Sequence, residues 1–143
     1  MDLKEFEEKV RNSGWYRLIG ANPIVEEGKG IVEIEIDEKH QQAYKTAHGG
    51  VIASILDSAA GLSINSLLIK QNKAAVTAEF NISYLKPVNS GKVRAEGRVI
   101  NLGSKLGVAY SEARDEKNEL IAVATATFYV LDLKILKDER NSI

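Results

Sequence analysis

The stretch Thr46-Ala-His-Gly-Gly-Val-Ile-Ala-Ser-Ile-Leu-Asp-Ser-Ala-Ala-Gly-Leu-Ser-Ile-Asn-Ser-Leu-Leu-Ile69 carries one formal charge, Asp57, in a chain whose residues are 27% charged. Val51, Ile52, Ile55, Leu56, Ala59, Ala60, Leu62, Ile64, Leu67 and Leu68 recur at three- and four-residue steps, which predicts a helix. At about 100° per residue, Ser54, Asp57, Ser58, Gly61 and Asn65 share one narrow stripe. A water-facing stripe would carry Lys and Glu, whereas this one carries short side chains. The pattern predicts a helix enclosed nearly all round, its small face against another backbone or a ligand.

Gly49-Gly50, directly after His48, starts this helix. Glycine lets a ligand approach the backbone closely, and a helix N-terminus presents unpaired N–H groups with partial positive charge. Asp57 lies two turns further in, near the azimuth of Gly50. Backbone donors and a lone carboxylate on an otherwise uncharged helix make a candidate reaction centre.

The 143 residues suffice for one domain, 1–143, with a core of its own. A net charge of −1 argues against nucleic acid and anionic membrane as partners. With no cysteine, a cysteine nucleophile, thiolate metal sites and disulfides are excluded, and two histidines make a poor metal site. The charged start, Met1 to Val10, lacks the apolar segment of a signal peptide, and Asp57, Asn65 and His48 fit a membrane span poorly. A cytoplasmic location is expected.

Leu3, Phe6 and Val10, with Trp15, predict a short amphipathic N-terminal helix ending near Asn12-Ser-Gly14, its Lys4, Glu5, Glu8 and Lys9 face solvated. Tyr16 to Ala21 reads as a strand that turns at Asn22-Pro23. Gly30 to Asp37 alternates Ile or Val with Glu, a half-buried antiparallel strand. Asp37 to Lys45 reads as a loop feeding the central helix. Ala74–Leu85 alternates Val76, Ala78, Phe80, Ile82 and Tyr84 on one face. Lys92–Leu102, Leu106–Arg114 and Glu119–Leu131 follow, separated by turn signals, so a meander is expected. The last twelve residues are charge-dense and expected to fray at the end. The predicted class is α+β: a curled antiparallel sheet around one long helix, with edge strands to be covered by pairing between subunits.

His48-Gly49-Gly50 with Asp57 nine residues after the histidine, and Thr77 with Tyr84-Leu85-Lys86-Pro87 downstream, resemble the hotdog-fold thioesterases of the phenylacetate-pathway type. The resemblance covers roughly residues 15–131. It implies hydrolysis of acyl- or aryl-coenzyme A thioesters between two subunits of a homodimer or a dimer-of-dimers tetramer, with no cofactor beyond the coenzyme A of the substrate. It gives Gly49 N–H the oxyanion, Asp57 of the neighbouring subunit the carboxylate role, and Thr77 the positioning of water. Six residues before His48 the family's usual Asn is Gln42, which reaches one methylene further.

The residues agree with that chemistry. Thioester hydrolysis needs a base or nucleophile and an oxyanion donor, and a carboxylate in an apolar enclosure is a stronger base than in water. Gly49, Asp57, His48 and Thr77 are the catalytic candidates, and Gln42, Gly50, Ser104 and Lys105 the substrate-binding ones. Ser104 and Lys105 are candidates for the coenzyme A phosphates, with Arg98 and Lys92 as alternatives. His48 reads as a core histidine that orients the Gly49 amide, and His40 as a surface residue. Ile52, Ile55, Leu56 and Ala59 are candidates for the acyl pocket. A hotdog hydratase or dehydratase, and a module that binds acyl-CoA without turnover, fit the same helix. The Gly-Gly pair favours the hydrolase.

Overall fold

The structure is a computed structural model that describes residues 1–141, with side chains to residue 137. Helices α1 (Leu3–Arg11) and α2 (Gly14–Ile19) lead into strands β1 (Asn22–Glu26) and β2 (Lys29–Ile36). Helix α3 (Gly49–Leu68) follows, then β3 (Lys73–Tyr84), β4 (Gly91–Leu102), β5 (Leu106–Arg114), β6 (Leu120–Asp132) and helix α4 (Leu133–Asn141). The strands form one six-stranded antiparallel sheet in the order β1-β2-β4-β5-β6-β3.

α3 has the length and composition of a membrane span, yet most of it is buried against the sheet. Ile52, Ile55, Leu56, Ala59 and Leu62 pack on Val32, Ile34, Val93, Ala95 and Ile121 in the larger core cluster. Ala60, Ile64 and Leu68 meet Ala109, Ala126 and Phe128 in the second. The helix comes down onto backbone at two glycines. A Cβ on Gly97 would sit 2.3 Å from the Ala59 carbonyl oxygen, and one on Gly30 2.4 Å from the same atom. The backbone contact expected of the small stripe is thus made by Ala59 and Ser63. Ser54, Asp57, Ser58, Gly61 and Asn65 form the half-exposed face instead.

Three expectations change. Residues 16–19 are helical: α2 starts after Ser13 and is stopped by Gly20 in the left-handed region (φ 72°), so the strand starts at Asn22 and Trp15 is half-exposed on α2. Pro23 then occupies an edge strand, where no ladder donor is missed. Only β4, β5 and β6 form the meander, because Leu85–Ser90 passes beneath the start of α3, where Val88 accepts the Ala47 N–H at 2.7 Å, and delivers β4 beside β2. The single face expected along β3 is broken by a bulge between Thr77 and Glu79. Ala75 and Thr77 face α3 before it, Phe80 and Ile82 after it, and Val76 is exposed. The charge-dense tail continues as α4, and its last two residues, where fraying is expected, lie outside the described ones.

Candidate active site

The first turn of α3 is built from three segments. His40, expected at the surface, is 2% exposed, because its Nδ1 accepts the Asp37 N–H and its Nε2 lies 2.7 Å from the Ile19 carbonyl. It anchors the loop whose His40 carbonyl accepts the His48 N–H at 2.7 Å. His48, expected in the core, is exposed, because its ring turns outward to cap α3, Nδ1 accepting the Gly50 N–H at 2.7 Å. The His48 carbonyl takes the Val51 and Ile52 N–H groups at 2.9 and 3.4 Å. That peptide group ends in the Gly49 N–H, which meets no acceptor among the described residues. Tyr84, at the end of β3, donates its hydroxyl to the Gly49 carbonyl at 2.7 Å, with its ring over the glycine. A groove of about 320 Å³ opens there between Gly49 and Tyr84–Val88. The result is a polarised free amide at a helix N-terminus, suited to a developing oxyanion.

Two turns along, Thr77 donates its hydroxyl to Asp57 Oδ1 at 2.8 Å, aimed there by the β3 bulge. Burial pushes the Asp57 carboxyl above the usual carboxylate range, and the Thr77 hydrogen bond opposes it. Both features suit a base with one oxygen held and the other free. Eight residues separate Gly49 from Asp57, about 12 Å along the helix axis.

Asp57 and Thr77 open into a cleft of about 600 Å³ between α3, the start of β3, α1, α2 and α4. Tyr16 of α2 lines it beside Asp57. Burial raises the Tyr16 phenol, the Ser58 hydroxyl it faces opposes the rise, and the Asp57 charge adds to it. Ile55, Leu56 and Ala59 line no pocket, because they are fully buried in the sheet-facing core; Ile52, 3% exposed, reaches only the groove at Gly49.

The remaining candidates lie apart. Gln42 spends its amide inside the loop, Nε2 donating to Thr46 and Oε1 accepting the Tyr44 N–H. Gly50 is committed to His48, and a Cβ there would strike that ring at 2.9 Å. Ser104 and Lys105 are exposed in the β4–β5 turn and line neither the cleft nor the groove. Arg98 and Lys92 pair with Glu96 and Glu33. No group of three or more His, Asp or Glu residues suited to a metal occurs among the described residues. Sequence reasoning missed Tyr16, Tyr84 and His40 as builders of the site. Only the Tyr84 strand motif carried a signal; a partner 21 residues away, as His40 has, leaves no local pattern.

A long helix wrapped by a curled antiparallel sheet is the hotdog fold. The chain belongs to the thioesterase superfamily: the family model matches residues 44–122, more than half of its length, and spans Gly49, Asp57, Thr77 and Tyr84. It is similar to the medium/long-chain acyl-CoA thioesterase YigI of Salmonella typhimurium, 34% identical over 62% of this chain and 64% of that one. It resembles the crystal structure of a thioesterase from Haemophilus influenzae, with TM-score 0.83, 26% identity and coverage of 93% and 92%. The PaaI protein of the E. coli phenylacetic acid degradation operon shares the fold, with TM-score 0.81, 21% identity and coverage of 90% and 91%.

Proposed function

We propose that this thioester hydrolase acts on acyl-coenzyme A at two sites shared between the subunits of a homodimer. One observation carries the shared site. Gly49 and Asp57 of one chain, about 12 Å apart along α3, are too far apart to serve one carbonyl group. The two sheet edges explain how copies meet. On β1, Glu7 accepts the Val25 N–H at 2.9 Å and Arg11 donates to the Pro23 carbonyl at 3.0 Å, so α1 covers that edge. On β3, Asn65 takes both peptide groups of Ala75, and Val76–Glu79 stay exposed. An open edge is a template for a second copy. Antiparallel pairing of β3 with itself sets the Tyr84 end of one copy, which holds Gly49, against the Thr77 end of the other, which holds Asp57.

In that arrangement the free oxygen of Asp57 takes a proton from water as the water oxygen bonds to the thioester carbonyl carbon. The carbonyl oxygen, now negative, is held by the Gly49 N–H of the other copy. Collapse breaks the carbon–sulfur bond, the leaving coenzyme A sulfur takes the proton back from Asp57, and the free acid is the co-product. No cofactor enters the scheme. The similarity to an acyl-CoA thioesterase supports coenzyme A esters as the substrate class.

Subunit complementation tests this reading. Asp57→Asn removes the base, and Gly49→Pro removes the N–H at a first helical position, where proline suits the backbone after His48 (φ −59°, ψ 135°) and the Tyr84 side chain, 3.2 Å from the added Cβ, has to shift by a few tenths of an ångström. Each variant alone is expected to lose about 100-fold or more of thiol release. After mixing and refolding, mixed dimers hold one intact site, restoring about a quarter of wild-type activity. No recovery, with both variants folded, rules out the shared site; no thiol release by the unaltered protein from any acyl-CoA rules out the enzyme reading.

A further inference from the structure

Resting on that reading, we infer that the cleft leading away from Asp57 is a channel for an acyl chain of medium to long length, walled on one side by α1 and α2. Its lining on α3 runs from Asp57 to Ile69, about 18 Å along the helix axis, and the cleft holds about 600 Å³. With about 1.3 Å of advance per carbon in an extended zigzag, the length corresponds to roughly fourteen carbons.

The lining fits a hydrocarbon. Phe6 and Val10 of α1 face Leu62, Phe128 and Leu133 across the channel. Its uncharged polar members beyond Asp57 are already partnered: the Asn65 amide bonds to Gly61 and Ala75, the Ser13 hydroxyl donates to the Val10 carbonyl, Thr77 to Asp57, and Tyr16 faces Ser58. A polar group partway down the acyl chain would find no free partner there, which costs binding. Lys9, Lys73 and Lys137 also line the cleft, and a long lysine stem extends an apolar wall while its ammonium group reaches water. The wall supplied by Phe6, Val10 and Tyr16 lies outside residues 44–122, so the shared catalytic segment does not dictate it.

Gly61 gives a ruler for testing the channel. It lies one turn beyond Asp57, about 6 Å down the axis. A Cβ there makes an ordinary 3.4 Å contact with Phe128, so alanine fits, while the added methyls of valine project into the channel. Rates of thiol release are measured on butanoyl-, octanoyl- and dodecanoyl-coenzyme A. The unaltered protein is expected to favour dodecanoyl over butanoyl in kcat/KM by about tenfold or more. Gly61→Val removes most of that preference through a loss on dodecanoyl of about tenfold, with butanoyl turnover within about threefold. Val10→Trp, on the opposite wall, produces the same selective loss, and Gly61→Ala keeps the original order. Butanoyl turnover and circular dichroism report that each variant is folded. A dodecanoyl-to-butanoyl ratio unchanged in both blocking variants, or a wild-type preference for butanoyl, overturns the channel while leaving the hydrolase standing. An absence of thiol release from every ester removes both.

Discussion

Asp57 is a carboxylate held half out of water by design of its surroundings: burial raises its pKa, and one hydroxyl, that of Thr77, restrains the rise. Turnover needs the ionised form, so the acid limb of kcat/KM is expected above the ordinary aspartate value of about 3.9, and Thr77→Val moves it further up. A pH–rate profile in which Thr77→Val leaves the limb in place, or lowers it, contradicts this. The same shift has a consequence for stability. A carboxyl whose folded pKa exceeds its unfolded one binds its proton more tightly in the folded state, so that contribution is lost as pH rises through the window between the two values. Asp57→Asn is therefore expected to raise the melting temperature at neutral pH, an advantage that fades below the unfolded carboxylate pKa. The two histidines show what local reading misses. Both flank the same loop, but only the fold tells that His40 has a carbonyl partner 21 residues back while the His48 ring accepts an N–H two residues ahead.

At the scale of elements, α3 was legible because burial on most sides leaves a long apolar run at helical spacing, and β2 because one face is wet. The strand expected over 16–21 failed because six residues carry too little periodicity to separate a strand from a helical turn; the deciding residue is Gly20, whose left-handed conformation ends α2. The β3 bulge was invisible for a related reason, since an inserted residue shifts the face of everything after it without altering composition. The seat of α3 gives a measurable prediction. Gly97→Ala puts a Cβ on the Ala59 carbonyl, which belongs to the helix backbone and has nowhere to retreat, so the variant should lose about 1–3 kcal/mol. Gly14→Ala, where nothing lies within 4 Å, is the control and should change little. Urea midpoints compare the two; equal midpoints would mean that α3 does not rest on β4 at this point.

For the whole molecule, the two sheet edges are unlike. α1 answers the peptide groups of β1, while β3 is left open over the residues that adjoin Asp57. A double substitution, Val76→Lys with Ala78→Lys, puts two charges on the exposed edge. Light scattering should then give the mass of one 15.7 kDa chain in place of a multiple, with the circular dichroism spectrum kept and thiol release lost. A variant that keeps both its oligomeric mass and its turnover would show that the edge is not where the copies meet.

The amino-acid sequence by itself determined the central helix, its solitary carboxylate, the glycine pair at its start and the class of sheet around it, because these follow from spacing along the chain. It also carried the resemblance that the family match confirms. The tertiary structure alone decided which side of α3 opens. Periodicity marks the apolar and small faces of a helix, but the close approach of Gly30 and Gly97 to Ala59 turns one of them onto backbone and leaves the other to the cleft. It decided, too, that the cleft borrows its outer wall from the N-terminal helices. That wall comes from residues 41 and more positions before Asp57, so no local pattern in the chain records the contact.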